Sequence, residues 1–325
     1  MTRPPRLAWM AWIAVCIIWG TTYLGIRIAL ETLPPAAMAA IRWLAAGTIV
    51  SVIVWLRGER LPGPRAWPGL ALLGLLMIGF GNGLVVYAEQ FVPSGLTAVI
   101  IATSPFWMVG VEALLPTGER PNRTALAGLA VGFGGIVLLV WPDLVAGGTH
   151  AAEFTAGLAA LQFACAGWAV GSSYSRRHRR GDDVLGATAL QMLFGGAQMA
   201  LVATLLGEWP AVSLSARSAS ALVYLTLVGS VGAFVAYVYA LRHLPVSTVS
   251  LYAYVNPVIA VVLGALVLGE AFTARVVVAA AIVLAGLAVV RAAGRAASPR
   301  TSGAVSATMT GDRGVSAHPD LKRAT

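Results

Sequence analysis

Two prolines interrupt apolar stretches in which a membrane helix would otherwise be continuous. Pro105 lies in the run ATSPFW and Pro257 in the run YVNPVI, and each follows a polar residue, Ser104 or Asn256. A proline leaves the carbonyl four residues before it without its helical donor, and lipid supplies no water to replace that donor. The chemistry offered here is therefore binding, by a freed carbonyl, a hydroxyl and an amide facing a cavity or a neighbouring helix.

The composition indicates a polytopic membrane protein. Of 325 residues, 58% are hydrophobic and 11% are charged, whereas soluble domains carry about 25% charged residues. The two cysteines, Cys16 and Cys165, lie in separate apolar runs, and the four histidines fall in loops or the tail. No disulfide, metal or Walker pattern is present. We therefore expect no catalytic residues, no metal, no cofactor and no nucleic-acid partner.

Apolar windows near 20 residues, separated by breaks rich in Pro, Gly and charge, predict ten membrane-spanning helices. The windows are 8–30, 35–56, 67–88, 94–115, 124–141, 154–175, 185–206, 219–241, 246–268 and 273–291. The fold class that follows is an all-α integral membrane protein, with the lipid bilayer as its first partner.

The positive charges predict which side each loop faces. With the N-terminus in the cytoplasm, 18 of the 22 Lys and Arg residues lie in cytoplasmic segments, and only Arg217 and Arg275 lie in outer loops. This asymmetry follows the positive-inside rule and supports an even number of spans. It predicts a bacterial inner (plasma) membrane protein with both termini cytoplasmic.

The two halves of the sequence repeat each other. An offset of 149 residues aligns Cys16 with Cys165, Trp19 with Trp168 and Arg42 with Gln191, and an offset of 152 aligns Tyr87 with Tyr239 and Pro105 with Pro257. Each half holds five spans, so the second copy must enter the membrane upside down. Inverted repeats with matched interrupted helices are typical of secondary transporters.

This repeat predicts the domain organisation. We expect a cytoplasmic N-terminus over 1–7, a first five-helix repeat over 8–141, a periplasmic linker over 142–153, a second repeat over 154–291 and a disordered cytoplasmic tail over 292–325. Both prolines, Trp19 and Trp168 lie about 11 to 14 residues into their spans, near the bilayer midplane at ~1.5 Å per residue.

Three longer stretches carry a family resemblance. They are IIWGTTYLGIRIALETLPPAAMAAIRWLAAG at 17–47, GFGNGLVVYAEQFVPSGLTAVIIATSP at 79–105 and LYAYVNPVIAVVLGALVLGE at 251–270. They resemble EamA-type transporters of the drug/metabolite transporter (DMT) superfamily, in particular the YedA-like inner-membrane branch. The resemblance implies two inverted five-helix repeats, a central cavity of alternating access lined by spans 1, 3, 4, 6, 8 and 9, and spans 5 and 10 outside it.

The residues that we expect to line the cavity are polar or aromatic side chains within the spans. In-span arginines and amides are functional candidates by default, although each also has a structural reading as an ion pair, a snorkelling side chain or helix packing. The predicted set is Trp19, Tyr23, Arg42, Asn82, Tyr87, Ser104, Pro105, Trp168, Gln191, Tyr237, Tyr254, Asn256 and Pro257.

Two carboxylates are candidates for proton coupling, Glu89 and Glu112, although neither lies at the midplane. Proton coupling needs a carboxyl group with alternating exposure. Gly128, Gly132 and Gly135 form a small-residue stripe in span 5 that predicts close helix packing.

The function predicted is a secondary transporter that exports a small organic metabolite, an amino acid or related amphipathic solute. Two alternatives stay open. A broad drug-efflux transporter would normally use a deep carboxylate, and a membrane-embedded enzyme would need a catalytic set at one depth. Substrate identity, direction, driving force and the choice between monomer and homodimer are left open by the sequence.

Overall fold

The computed structural model describes residues 5–115, 121–145, 151–178, 184–244, 249 and 252–297, without statements for a few side chains within them. In this part of the chain ten helical spans follow one another. They are α1 Arg6–Ala29, α2 Pro35–Leu56, α3 Pro64–Ala88, α4 Ser94–Leu114, α5 Arg123–Val145, α6 Ala151–Arg177, α7 Val184–Leu205, α8 Ala216–His243, α9 Tyr252–Leu268 and α10 Ala274–Ala297.

The described helices confirm the predicted all-α membrane architecture. Nine of those in the described ranges are long and apolar enough to cross a membrane, and the shorter apolar helix Val255–Leu268 lies within α9. The predicted ninth span, 246–268, begins among residues that lie outside the description, which accounts for its shorter described length.

The boundaries between the predicted domains differ from the described helices in two places. Helix α5 continues through Pro142 to Val145, and α6 already begins at Ala151, so only 146–150 of the predicted linker lie outside described helices. Helix α10 extends to Ala297, beyond the predicted start of the disordered tail at 292. The added stretch is alanine-rich, and alanine is the strongest helix former. Residues 298–325 lie outside the described part.

The two repeats contact each other through helices that occupy the same position in each repeat. Helix α2 packs along α7, and α5 packs along α10. At the second contact a Cβ added to Gly286 would lie 2.5 Å from the backbone nitrogen of Gly132. The two backbones therefore touch, which confirms the packing role predicted for the glycine stripe of α5.

The remaining helices interlock across the repeats. Helix α1 packs on α8 and α9 of the second repeat, and α6 packs on α3 and α4 of the first. Each repeat thus contributes its first helix to the other repeat's bundle. This exchange brings α1, α3, α4, α6, α8 and α9 to the centre and leaves the pair of α5 and α10 at the side.

Two π-helical stretches occupy corresponding places in the repeats, Gly74–Gly83 in α3 and Leu225–Gly232 in α8. Both contain glycines at close contacts: a Cβ on Gly74 would lie 2.7 Å from the backbone nitrogen of Gly195, and one on Gly229 would lie 3.1 Å from Thr22. Such stretches are rare and often mark functional sites. The sequence pattern did not predict them.

Candidate functional site

The first proline site is a break in α4. The helix ends at Ile101, two turn residues follow, and a second helix begins at Ser104 with Pro105 in its first turn. The hydroxyl of Ser104 donates to the carbonyl of Ile101 over 2.7 Å, and this is the carbonyl that Pro105 deprives of a donor. The residue before the proline therefore satisfies the freed group.

The break in α4 faces the first helix of the second repeat. Ser104 Oγ also lies 3.4 Å from the thiol of Cys165 in α6. The neighbouring hydroxyl of Thr103 donates to the Ile100 carbonyl over 2.6 Å. The polar groups of the break are thus turned toward their own backbone and toward α6.

The second proline site has a different construction. Helix α9 is described as continuous from Tyr252 to Leu268 with Pro257 inside it. Two carbonyls, of Cys16 and Tyr252, face the buried amide of Asn256, and with the amide nitrogen oriented toward them Asn256 donates to each over 3.0 Å. Cys16 lies in α1, so this amide joins the interrupted helix of the second repeat to the first helix of the first repeat.

An aromatic cluster lies beside this second site. The ring of Trp19 is 5.2 Å from that of Tyr237 and 4.8 Å from that of Tyr252, and the two tyrosine rings are 6.1 Å apart. We call Trp19, Tyr237 and Tyr252 the central aromatic cluster. It joins α1, α8 and α9, and it presents the faces and edges that hold an apolar or cationic solute group.

Arg42 in α2 takes part in a series of polar contacts that reaches α8 and α3. Its Nε donates to Ser230 Oγ over 2.9 Å, and its guanidinium lies 4.8 Å from the ring centre of Trp43. The indole of Trp43 in turn donates to Asn82 Oδ1 over 3.0 Å. The side chain of Arg42 is buried, and its Nη1 has no hydrogen-bond partner among the described residues.

The counterpart of Arg42 in the second repeat makes a weaker contact. Gln191 Nε2 lies 3.6 Å from the sulfur of Met77 in α3. Trp168, the counterpart of Trp19, packs against Gly81, where an added Cβ would lie 3.1 Å from its ring. Neither belongs to an aromatic cluster like that around Trp19 among the described contacts.

Three other predicted residues lie apart from these contacts. Tyr87 is exposed near the end of α3, with its ring 5.5 Å from that of Phe91. Tyr23 packs at the edge of the main apolar core. The side chain of Tyr254 lies outside the described residues.

The two candidate carboxylates have opposite surroundings. Glu112 accepts from Ser173 Oγ over 2.6 Å and pairs with Arg177 over 3.0 Å at a half-exposed position. Glu89 is completely buried at the end of α3, and neither carboxyl oxygen has a hydrogen-bond partner in the described part of the chain. Arg27 donates to the backbone carbonyl of Glu89 instead.

Sequence reasoning missed Glu270 as a structural residue. Its two carboxyl oxygens accept from the backbone nitrogens of Ser94 and Gly95, over 2.7 and 3.0 Å, at the start of α4. A carboxylate there satisfies orphan donors and favours the helix dipole. The signal was present in the repeated dipeptide GE, which recurs at Gly118-Glu119 and Gly269-Glu270.

The described residues contain no group of three or more His, Cys, Asp or Glu side chains that could hold a metal. What they do contain is two polar interruptions and an aromatic cluster on the central helices, and one buried guanidinium on α2 that bonds to α8. This arrangement is suited to holding a small solute by stacking, hydrogen bonds and charge.

Comparison with known proteins agrees with the geometry. The EamA-like transporter family matches residues 7–141 and again residues 155–292. The chain is 37% identical over 258 residues to "Uncharacterized inner membrane transporter YedA" of Escherichia coli (strain K12), covering 79% of this chain and 81% of that protein.

More distant relatives extend the same pattern. A WAT1-related chloroplastic protein of Arabidopsis thaliana is 27% identical over 287 residues, covering 86% of this chain and 68% of that protein. A solved structure described as "Crystal structure of protein" aligns with a TM-score of 0.63 at 24% identity, covering 91% of this chain and 100% of that one, which shows a shared fold. The two family matches and the ten-helix architecture lead to one conclusion: this chain is a multi-pass membrane transporter that belongs to the EamA-like transporter family.

Proposed function

We propose that the protein is a secondary transporter that exports a small organic metabolite, an amino acid or a related amphipathic solute, by alternating access of a central cavity. The cavity lies between α1, α3, α4, α6, α8 and α9. No nucleotide-binding loop is present in the sequence to supply energy from ATP. Movement therefore depends on the gradient of the solute or of a coupled ion.

The observation that carries this proposal is the pair of matched proline sites. Ser104 meets Cys165 of α6, and Asn256 meets the carbonyl of Cys16 in α1. In each case the interrupted helix of one repeat contacts the first helix of the other. Rocking one repeat against the other changes both contacts together, as expected for a transporter built from inverted repeats.

The solute class follows from the groups that surround the site. The central aromatic cluster favours an apolar or cationic body, and the unpartnered Nη1 of Arg42 favours a carboxylate. Asn256, whose amide faces the carbonyl of Tyr252, adds a polar group beside the cluster. A zwitterion with an apolar side chain satisfies all three.

The proposal also includes the membrane in which the chain lies and the side on which its termini lie. Because a 37% identical relative carries the words inner membrane in its name, and because the cytoplasmic segments carry the Arg excess, we assign the chain to a bacterial inner membrane with both termini cytoplasmic.

The test is comparative metabolite profiling of the culture medium. Cells that produce the intact chain are compared with cells that produce Asn256→Ala combined with Trp19→Ala, at equal membrane abundance. The matched control is Gly134→Ala, because an added Cβ at that exposed position meets nothing within 4 Å. A solute enriched outside by the intact chain and the control, and not by the double variant, supports export through the central site.

Two outcomes would contradict the proposal. Equal enrichment by all three chains would retain export but discard the central site. A profile identical to that of empty cells, repeated with purified protein in vesicles loaded with an amino-acid mixture, would reject metabolite export.

A further inference from the structure

Glu89 is a buried acidic side chain whose carboxyl group makes no described hydrogen bond. It follows the last residue of α3, it is 0% exposed, and neither Oε1 nor Oε2 has a hydrogen-bond partner among the described residues. An ionised carboxylate without partners in such a place is destabilising by several kcal/mol. Something other than the described side chains must neutralise it.

The groups around Glu89 are mostly engaged elsewhere. The titratable side chains that interact electrostatically with its carboxyl group are Arg27 and Tyr23 of α1, Arg42 of α2 and Glu270 after α9. Arg27 donates to the backbone carbonyl of Glu89, and Glu270 caps the start of α4 with both oxygens.

Arg42 is the remaining cation near Glu89. It donates to Ser230, and although its Nη1 is unpartnered, no hydrogen bond joins that nitrogen to Glu89. The carboxyl group is therefore surrounded by charges of both signs without being bonded to any of them.

A pocket opens beside Arg27, the arginine that bonds to the backbone of Glu89. It has a volume of about 210 Å³ and is lined by Arg27, Glu31, Pro93, Leu268 and Glu270. Because Arg27 both lines the pocket and donates to the backbone of Glu89, this side chain connects the pocket to the buried residue. The pocket is polar and large enough for several water molecules.

We propose that Glu89 is a proton-binding site, and that its proton couples transport to the proton gradient. In the packed state described here the carboxyl group is protonated and neutral. When the protein opens to the opposite side of the membrane, the acid gives its proton to water there, leaving a carboxylate and a hydronium ion. When α1 moves and Arg27 leaves the carbonyl, a hydronium ion in the water of the pocket gives a proton to the carboxylate, which restores the neutral acid before the site closes.

The contrast with Glu112 supports this assignment. Glu112 has a serine and an arginine bonded to its two oxygens, so its charge is satisfied in place. A carboxylate held in this way has no need of a proton. Of the two candidate carboxylates, the geometry selects Glu89.

The first test measures the proton directly and needs no solute. Infrared spectra of the purified protein at neutral pH report the C=O stretch of a protonated carboxylic acid, which is separate from the carboxylate bands. We expect the band in the intact chain and in Glu112→Gln, and its loss in Glu89→Gln. If Glu89→Gln does not accumulate, Glu89→Asp serves, because its band must shift in frequency. No acid band in the intact chain, or a full band in Glu89→Gln, would overturn the proposal.

The second test concerns coupling and rests on the proposed export function. Export of the solute found by metabolite profiling is measured in acidic and in alkaline medium. We expect the intact chain and Glu112→Gln to respond to medium pH, and Glu89→Gln to lose that response. An unchanged response in Glu89→Gln would overturn the coupling role. If no chain exports a solute, the proposed export fails, while the infrared result still decides whether Glu89 binds a proton.

Discussion

The two proline sites occupy matched positions in the two repeats and are built differently. At Pro105 the helix breaks, and Ser104 satisfies the freed carbonyl within its own helix. At Pro257 the helix continues, and the amide of Asn256 donates to the carbonyl of Cys16 in α1 and to that of Tyr252 in its own helix. Ser104 thus reaches α6 through a contact of 3.4 Å with the thiol of Cys165, whereas Asn256 makes a bond of 3.0 Å to the backbone of α1. Identical positions in an inverted repeat need not have identical mechanical roles.

The aromatic side chains that surround the two proline sites also differ. Trp19 beside the second site contacts the rings of two tyrosines, one tilted and one edge-to-face, whereas its counterpart Trp168 lies on Gly81 of the π-helical stretch. Under the proposed function, we therefore expect solute recognition to concentrate beside α9. The side near α4 provides a break and close helix packing, which suits movement.

The largest expected difference is in export between the variants of the two prolines. In Pro105→Ala the new backbone N–H can bond to Ile101, so the break in α4 closes and Ser104 is displaced from Cys165. We expect export to fall by about tenfold or more. Pro257→Ala adds one hydrogen bond to a helix that is already continuous, and we expect a loss of only about two- to threefold. Export per molecule at equal membrane abundance measures both, and equal losses would erase the distinction.

The next effect separates the two polar residues. Asn256→Ala removes a bond between α9 and α1, so we expect a loss of about 2 kcal/mol, with α1 and α9 loosened. Ser104→Ala removes a bond within α4, and we expect about 1 kcal/mol. Thermal unfolding of the purified proteins in detergent, with the exposed Gly134→Ala as control, ranks the three. A larger loss for Ser104→Ala would reverse our comparison.

A smaller effect concerns the helix pair outside both sites. Gly286→Ala places a Cβ against the backbone of Gly132, so we expect a loss of about 1–3 kcal/mol with no change in which solute is exported. Gly134→Ala on the exposed face of α5 is again the control. A changed solute profile in Gly286→Ala would mean that α5 and α10 take part in recognition.

The smallest effect concerns the two cysteines. Cys165→Ala removes the thiol beside Ser104, so we expect a loss of at most about 1 kcal/mol. Cys16→Ala leaves in place the backbone carbonyl to which Asn256 donates, so we expect a smaller loss at that bond. Unfolding measurements on the two single variants make the comparison, which fails if Cys16→Ala proves the more damaging.

Much of this architecture could be predicted from the sequence, because it depends on local pattern. Hydropathy located the spans to within a few residues, and the internal repeat located Pro105 and Pro257 as partners. How each interruption is satisfied depends on the helix packed against it, and that neighbour is far away in the chain. For the same reason the link from Asn256 to Cys16 and the capping of α4 by Glu270 were not predicted.

The π-helical stretches and Tyr87 illustrate the same limit. Over ten residues of glycine and leucine, the periods of α- and π-helix differ too little to be separated by pattern, and tight contacts such as Gly74 on Gly195 decide between them. Tyr87 was predicted for the cavity as an aromatic side chain within a span, and in the structure it lies near the end of α3 with its ring 5.5 Å from that of Phe91.

The central claim is that the two interrupted helices move against α1 and α6 at separate sites. The chain has two cysteines, and each is buried beside one of these sites. The most direct measurement is the rate of N-ethylmaleimide modification at Cys16 and at Cys165, followed by peptide mass spectrometry in the intact chain, Pro105→Ala and Pro257→Ala. We predict that Pro105→Ala slows modification of Cys165 alone and that Pro257→Ala slows modification of Cys16 alone. Rates at both cysteines that match the intact chain in both variants would contradict the account.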